Sequence, residues 1–424
     1  MAEVIYCIEH ASLPVVPHRQ PGQQALSARH ADLLAGLERK LPAQAFSWSH
    51  KAVKFASFCG VIQLGDLTLE VLPKVHGRES DPGACRLMLV RMLKKAGLFK
   101  VHSGHNAAIN LQRHTLLDIF ILQFCAALSD ELLQGKPRQY VEQEDNLRVI
   151  KGRLLIPKQV KYNTAHGERL YCRFDELSED ILINQIFRFT LRLLAGVARA
   201  SSIKKQLHSL LLAFDEVSDQ PINADALDRL ELNRTNSRFR PLLDQCALFI
   251  KGLNPDAISG SGSASSMLFD MNQLFEAWVA AMLRPQVARL GYTLREQGPR
   301  RYFAERTDLA KPIFQMKPDI AILNDKAEPV AIIDTKWKLL EPREAKLGVS
   351  QADIYQMHAY GARYQTSHLA LLYPGQANLA RNHHLNIATQ ANHQLHCAAV
   401  DMDDFSAATE SLVELLTRLR VLAA

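Results

Sequence analysis

The pattern of apolar and polar residues predicts β structure followed by helices in the amino-terminal part of the chain. Residues 45–75 alternate with the period of a strand on both sides of Gly65-Asp66, a turn dipeptide, so we expect a β-hairpin there. Apolar residues then recur every three or four positions over residues 86–96 and 114–133, which predicts two helices. The polar stretch 140–180 has only short alternations and predicts a few strands linked by exposed turns.

Helical and strand patterns alternate in the remainder of the chain. Two long helical patterns cover about 181–214 and 224–253, and a segment rich in Gly and Ser over 255–266 then interrupts the pattern, as a loop or domain boundary would. Further elements are predicted as a helix over 266–287, strands near 291–296, 301–304, 318–323, 329–336 and 367–374, and helices over 348–364 and 404–422. This mixture predicts an α/β fold, α+β overall.

Length and composition predict a folded chain of two or three domains. The 424 residues are 47% hydrophobic and 22% charged, which is the average of globular proteins. We predict domains at residues 1–105, 106–255 and 266–424. The seven cysteines are widely spaced and form no C-x-x-C pair, so we expect free thiols rather than disulfides or a zinc site. The chain has neither a signal-peptide pattern nor a membrane-spanning apolar stretch, so we expect a cytoplasmic protein without membrane contact.

Charged residues occupy defined positions in the predicted hairpin of residues 317–336. Asp334 and Lys336 point to one face of a strand because side chains alternate, and antiparallel pairing brings Asp319 within a few ångströms of Asp334. Two carboxylates so close repel each other unless a cation joins them, and Mg²⁺ prefers carboxylate and carbonyl oxygens. We therefore predict a Mg²⁺ site, in which Mn²⁺ can substitute, held by Asp319, Asp334 and the Thr335 carbonyl. Lys336 would orient or deprotonate the attacking water and hold the phosphate.

The arrangement of Pro318-Asp319 and Asp334-Thr335-Lys336 resembles the PD-(D/E)xK nuclease core. Glu276 lies among apolar residues on the predicted preceding helix: it is either an exposed glutamate or, as the resemblance implies, an additional acid of the metal shell. On the following helix Gln356 and Tyr360 share one face, because they are four residues apart. In most proteins such a pair is structural, but here it resembles the Q-x-x-x-Y element of RecB-like nucleases, where the pair lies near DNA and the active site.

Longer stretches are similar to the McrC family, the nuclease subunit of McrBC-type modification-dependent restriction systems. They are FDMNQLFE at 269–276, KPDIAI at 317–322, IIDTKWK at 332–338, and segments within 60–74, 151–154 and 172–185. The resemblance implies a carboxy-terminal PD-(D/E)xK restriction-endonuclease-like core, a mixed sheet flanked by helices, behind an amino-terminal β-rich and helical docking region. Residues before about 45 and after about 376 match nothing that we identify in the family.

The resemblance also implies partners. A McrC-like chain cleaves double-stranded DNA carrying modified cytosine, such as 5-methylcytosine, while a McrB-like AAA+ GTPase hexamer receives its amino-terminal region and is stimulated by it. This chain contains no P-loop of its own, which agrees with that division of labour. Its net charge of +6 is too thinly spread to hold DNA unaided, so we expect weak intrinsic DNA binding.

Two other functions remain open on the sequence alone. One is a non-catalytic activator or adaptor of an AAA+ ring, although intact Asp319, Asp334 and Lys336 argue against a vestigial nuclease. The other is a stand-alone RecB-like nuclease, which would prefer free DNA ends and need no partner. Metal binding by the purified chain would favour the nuclease over the adaptor, and its absence would favour the adaptor. Cleavage of free DNA ends without a partner would favour the stand-alone nuclease.

Overall fold

The computed structural model describes residues 3–39, 41–75, 77–98, 114–223, 226–227, 229–253, 264–376, 384–388, 394–402 and 404–421. Its strands are β1 (Glu3–Ile8), β2 (Ser12–Val16), β3 (Leu26–Ser27), β4 (Phe46–Ser49), β5 (Ala52–Phe55), β6 (Phe58–Leu64), β7 (Leu67–Leu72), β8 (Gln139–Leu147), β9 (Arg153–Leu154), β10 (Leu170–Ser178), β11 (Ala264–Asp270), β12 (Thr293–Glu296), β13 (Arg301–Arg306), β14 (Lys311–Met316), β15 (Ile320–Leu323), β16 (Pro329–Thr335), β17 (His368–Pro374), β18 (His384–Ala388) and β19 (Gln394–Val400).

The helices lie between these strands along the chain. They are α1 (Ala28–Gly36), α2 (Pro82–Lys95), α3 (Leu116–Leu133), α4 (Ile156–Asn163), α5 (Leu182–Val197), α6 (Ser201–Leu212), α7 (Arg240–Leu253), α8 (Met271–Arg289), α9 (Gln351–Tyr364) and α10 (Phe405–Arg418). None of the helices in the described ranges is long and apolar enough to cross a membrane. The prediction of a mixed α/β fold is confirmed.

The chain divides into two compact units. The first contains the described residues up to Leu116 and from Ala264 onward, and the second contains Leu117–Leu253. The Gly- and Ser-rich segment and the first predicted domain boundary fall mainly on residues outside the described ranges. The three predicted domain ranges stay predictions.

In the first unit, β1-β7-β6-β11 and β3-β2-β5-β4 form two four-stranded sheets. The predicted hairpin around Gly65 is confirmed, because β6 and β7 pair antiparallel on either side of it. Apolar side chains from both sheets and from α1 form one core, which includes Ile5, Leu34, Phe55 and Ile62. Burial of these side chains removes apolar surface from water and stabilises the two sheets together.

A third sheet of the first unit has the order β12-β15-β16-β17-β19-β18. It is mixed: β15 and β16 are antiparallel, whereas β16, β17 and β19 run parallel. Helix α9 packs on one face through a cluster that includes Met357, Tyr364, Ile332 and Leu371. The ribbon β13-β14 forms a separate two-stranded sheet.

The second unit combines a small sheet with helices. Strands β8-β10-β9 pair antiparallel, and α4 follows β9 in a region where only strands were predicted. The helices form a core with aromatic contacts, such as Phe124 against Phe249 and Phe187 against Phe214. All seven cysteines of the chain are free, as predicted, and all are buried.

Three predicted helices have different boundaries in the structure. The helix expected over 266–287 is wrong at its start, since Ala264–Asp270 is β11 and pairs with β6; Asp270 then caps α8 by accepting a hydrogen bond from the backbone N–H of Asn272. The pattern over 181–214 is broken between α5 and α6, where the backbone of Ala198 and Ala200 is extended.

The third difference lies in the pattern over 224–253. Helix α7 begins only at Arg240, after a short 3₁₀ turn over Ser237–Phe239. The Asn233 side chain accepts hydrogen bonds from the N–H groups of Thr235 and Asn236. This side-chain turn competes with helix formation, which explains why the helix starts late.

Candidate functional site

The candidate site is built on the β15-β16 hairpin. Its turn is fixed by Asn324, whose side-chain oxygen accepts hydrogen bonds from the N–H groups of Lys326 and Glu328. Pairing of Ile320 with Ile333 is the last pair of the ladder, and the same register carried one residue further along both strands puts Asp319 across from Asp334. The expected approach of the two carboxylates therefore follows from the turn and from the antiparallel register.

Asp319 and Asp334 have different hydrogen-bond partners. Asp319 Oδ2 accepts hydrogen bonds from the backbone N–H and the hydroxyl of Thr335, at 2.8 and 2.9 Å. Asp334 is only 1% exposed, because β16 lies inside the sheet; its Oδ2 is 2.7 Å from Lys336 Nζ. Both carboxylates are thus fixed in position by residues of the same strand end.

Helix α9 supplies the next residues of the site. Gln356 donates hydrogen bonds to Asp334 Oδ1 and to the Tyr360 hydroxyl, at 3.2 and 2.9 Å. Its side-chain oxygen accepts a hydrogen bond from Lys336 Nζ at 3.3 Å. The Tyr360 hydroxyl donates in turn to the carbonyl of Lys317, at 3.3 Å. Gln356 therefore connects three of the predicted residues, because the NH₂ of its side-chain amide donates to a carboxylate and its carbonyl oxygen accepts from an ammonium.

Glu276 lies on α8 and is half-buried. It accepts a hydrogen bond from the Gln297 side chain, while the Gln297 backbone N–H donates to the Asp319 carbonyl at 2.8 Å. Burial and the nearby Asp319 raise the pKa of Glu276 to about 7. Gln297 thus connects Glu276 to the strand that begins beside Asp319.

The charges of the site perturb one another. Burial, and next the charge of Asp319, raise the pKa of Asp334, while Lys336 opposes that rise. Burial alone would lower the pKa of Lys336, but Asp334 and Asp353 raise it above its usual value. The lysine therefore stays protonated and compensates part of the negative charge.

Asp353, which the sequence analysis missed, and Lys338 complete the network. Asp353 lies 3.7 Å from Lys336 Nζ and 2.6 Å from Lys338 Nζ. The Ser350 hydroxyl accepts a hydrogen bond from the Asp353 backbone N–H and caps α9. A signal for Asp353 exists in the sequence, because it precedes Gln356 by three residues and so shares its helix face.

Trp337 joins this site to the first strand. It is buried, and its indole N–H donates a 2.8 Å hydrogen bond to Glu9 Oε1. Glu9 directly follows β1 and also accepts a hydrogen bond from the Lys74 backbone N–H. No sequence signal indicated that Glu9 approaches this site.

The donor set fits a hard divalent cation. Within the described ranges no group of three or more His, Cys, Asp or Glu residues is arranged to hold an ion. Mg²⁺, however, usually binds proteins through one or two carboxylates and takes its other ligands from water and phosphate. Asp319 and Asp334 can supply those carboxylates: they are close enough to interact, since burial, and next the charge of Asp319, raise the pKa of Asp334.

Comparisons with known proteins agree on one family. A family model described as McrBC 5-methylcytosine restriction system component matches residues 53–374, more than half of the chain. No curated protein matches the chain.

Two solved structures from Thermococcus gammatolerans contain similar folds. One is a half-complex from a tetradecameric assembly of McrB AAA+ hexamers with bound McrC; its similar chain is 19% identical, with a TM-score of 0.70, over 97% of this chain and 100% of that one. The other is the cryo-EM structure of the McrBC complex, with 22% identity and a TM-score of 0.52 over 66% of this chain and 87% of that one. At these identities the likeness shows the fold alone. Because the family model covers most of its length, the chain belongs to the McrBC 5-methylcytosine restriction system component family.

Proposed function

We propose that the chain is the DNA-cleaving subunit of a McrBC-like modification-dependent restriction system. It would act as a Mg²⁺-dependent endonuclease of the PD-(D/E)xK type on double-stranded DNA carrying modified cytosine. The observation that carries this proposal is the connected network of Asp334, Lys336, Gln356 and Tyr360, beside which Asp319 faces Asp334. A vestigial fold would have no need for this set of polar groups at a buried strand end.

Each side chain has a role that its contacts support. Asp319, Asp334 and the Thr335 carbonyl would hold Mg²⁺, with Glu276 as a further ligand; when bound, the ion would polarise the phosphate and lower the pKa of its water. Lys336 is held 2.7 Å from Asp334 and is protonated, so it can bind a phosphate oxygen and orient the attacking water. Mn²⁺ is expected to substitute for Mg²⁺, because it prefers the same oxygen ligands.

Gln356 and Tyr360 act on position rather than on the reacting atoms. Gln356 contacts both Asp334 and Lys336, so it fixes their separation. Tyr360 holds Gln356 and the Lys317 carbonyl, two residues before Asp319. Supporting hydrogen bonds of this kind keep catalytic groups near their productive geometry.

The partner is proposed from the family and the similar structures. One of those structures contains McrB AAA+ hexamers with bound McrC, and the other is described as a McrBC complex. By analogy, the amino-terminal region of this chain would dock on a hexameric AAA+ GTPase and stimulate it, in the cytoplasm, where restriction systems meet foreign DNA.

The test is the loss of cleavage with retained docking. Asp334→Ala and Lys336→Ala, each assembled with the AAA+ partner and methylated plasmid DNA, should lower the cleavage rate at least about a hundredfold. GTPase stimulation should be unchanged. Cleavage at the normal rate by either variant contradicts the assignment of the site.

Asp325→Ala and Lys326→Ala are matched controls. Both residues are exposed in the turn at the opposite end of the same hairpin. Their substitution therefore removes one negative and one positive charge, as in the site variants, but far from Asp334. Calorimetric titration with Mg²⁺ or Mn²⁺ separates a nuclease from a non-catalytic activator, because binding should occur in the control variants and weaken in Asp334→Ala. Cleavage of free DNA ends without the partner would instead favour a stand-alone nuclease.

A further inference from the structure

The ribbon formed by β13, β14 and their connecting turn, residues 301–316, is exposed on nearly its whole surface. It carries bulky apolar side chains: Phe303 is 61% exposed and Phe314 is 70% exposed. A two-stranded ribbon alone is marginally stable in water and gains little from side chains that stay in solvent. These aromatic residues therefore contribute little to the core.

The two exposed aromatic residues lie at the same level of the ribbon. Tyr302 pairs with Gln315 and Ala304 with Ile313, so Phe303 and Phe314 are the residues between those two pairs. Phe314 also has a left-handed backbone conformation, with φ of 56°. That conformation is unfavourable for a bulky residue. Neither burial nor backbone preference explains Phe314, which indicates a binding role.

The ribbon and its flanks are strongly basic for this chain. Residues 295–317 contain six Lys and Arg residues and three Asp and Glu residues, a net charge of +3. The whole chain of 424 residues has only +6, so half of its net charge lies in this segment. Arg300, Lys311 and Lys317 are among its exposed cations. A local cationic surface of this kind attracts phosphate groups even when the mean charge is low.

The base of the ribbon is attached to the candidate site. Arg363 on α9 donates a 2.7 Å hydrogen bond to the Tyr302 carbonyl, and the Tyr364 hydroxyl donates to the Met316 carbonyl at 3.1 Å. Strand β14 continues through Lys317 to Asp319. From Leu309 in the turn to Asp319 an extended chain spans at most about 35 Å. The ribbon therefore lies within that distance of the candidate site.

We propose that this ribbon binds double-stranded DNA next to the bond that is cleaved. The inference rests on the proposed function and deepens it by naming the element that holds the substrate. Arg300 and Lys311 would contact phosphates, and Phe303 and Phe314 would enter a groove. The major groove admits a two-stranded ribbon, and apolar side chains that enter a groove contact base edges or separate base steps.

Binding is tested on the full-length chain without divalent cations, so that no DNA is cleaved. Fluorescence anisotropy of a labelled short duplex gives the affinity between about 50 and 200 mM salt. Arg300→Gln with Lys311→Gln should weaken binding and reduce the slope of log K against log salt by about two, since each phosphate contact contributes about 0.9. Phe303→Ser with Phe314→Ser should weaken binding about tenfold at an unchanged slope.

Two variants serve as matched controls. Lys326→Gln removes an exposed cation from a turn outside the ribbon, and Phe405→Ser removes an exposed phenylalanine from the start of α10. Both should bind DNA like the unaltered chain. Because the substituted ribbon side chains are exposed, thermal melts should show that all variants stay folded.

Unchanged affinity in the ribbon variants overturns the inference. So does a change in oligomeric state or in GTPase stimulation at unchanged DNA affinity, because the occupant of the ribbon would then be a second copy or the AAA+ partner. Failure of the proposed function is seen separately, as cleavage that survives Asp334→Ala. Binding without divalent cations does not depend on that result, so the two failures are distinguishable.

Discussion

Glu9 is a buried carboxyl at the point where the first strand meets the candidate site. It is 1% exposed, and its Oε1 accepts hydrogen bonds from the Lys74 N–H at 2.9 Å and from the Trp337 indole at 2.8 Å. Burial raises the pKa of Glu9 from 4.5 to about 7, although both hydrogen bonds and the charge of Lys74 oppose that rise. Because Trp337 follows Lys336, the state of Glu9 bears directly on the segment that carries the candidate lysine.

The raised pKa fixes the sign of a pH effect on stability. Between pH 4.5 and about 7 the folded chain holds a proton on Glu9 that the unfolded chain has lost. The free energy of unfolding therefore falls as the pH rises through this range. Since each pH unit between the two pKa values is worth about 1.4 kcal/mol, the loss approaches about 3 kcal/mol at pH 8.

Glu9→Gln removes this titration and keeps the oxygen that accepts both hydrogen bonds. Its amide NH₂ replaces Oε2, which has no hydrogen-bond partner among the described residues, so the variant incurs a cost of about 1–3 kcal/mol that does not depend on pH. The neighbouring ionisable groups, His10, Lys74 and Cys59, are present in both proteins, so their contributions to the difference largely cancel. The unfolding free energy of the variant minus that of the unaltered chain should thus rise by about 3 kcal/mol from pH 4 to pH 8.

Denaturant unfolding followed by tryptophan fluorescence measures this difference. The three tryptophans, Trp48, Trp278 and Trp337, all lie in the first unit, so the signal reports the unit that contains Glu9. Glu3→Gln on the same strand is a control of opposite sign, because its hydrogen bond with Arg19 lowers the pKa of Glu3 to about 2. That variant should lose stability at neutral pH and regain it as the pH falls below 4.5. A difference for Glu9→Gln that stays flat or falls between pH 4 and pH 8 would refute the reasoning.

Two further substitutions test the packing of the first unit and the site. Glu70 is fully buried and accepts hydrogen bonds from Arg86 Nε and the Leu116 N–H, both at 2.6 Å. Because Glu70→Ala leaves Arg86 unpaired, it should lower the free energy of unfolding, measured with denaturant, by about 3–5 kcal/mol. A loss under about 1 kcal/mol contradicts this expectation. Tyr360→Phe removes a hydroxyl that accepts a hydrogen bond from Gln356 and donates one to the Lys317 carbonyl. If these hydrogen bonds position the site with about 1 kcal/mol, cleavage should slow about fivefold while the melting temperature barely changes. An unaltered cleavage rate at saturating DNA contradicts the positioning role.

The candidate site could be predicted because its geometry follows from short-range rules. Alternation along one strand relates Asp334 to Lys336, a tight turn pairs Asp319 with Asp334, and helical spacing joins Gln356 to Tyr360. What these rules cannot supply is the tertiary contact between α9 and the strand end. The hydrogen bond from Gln356 to Asp334 depends on that packing and was not predictable from either segment alone.

Long-range pairing explains the principal wrong boundary. Residues 264–270 have an apolar pattern that also fits a helix, but they pair with β6, about two hundred positions earlier in the chain. Such pairing overrides local propensity. A local signal was present, because Asp270 is a favourable residue for the start of a helix and the helix does begin after it. Glu9 illustrates the same limit, since its approach to Trp337 spans most of the chain.

The ribbon escaped prediction for a different physical reason. Pattern rules detect strands by one apolar and one polar face, and this alternation exists because one face is buried. In β14 most positions are exposed, including Phe314, so the usual alternation has no cause there and only β13 was predicted in part. The ribbon is instead held at its base, where Met316 is buried in the core below α9 and where Arg363 and Tyr364 donate hydrogen bonds to the carbonyls of Tyr302 and Met316. The pattern rules fail here because the remaining positions of β14 have no buried face that could impose an alternation.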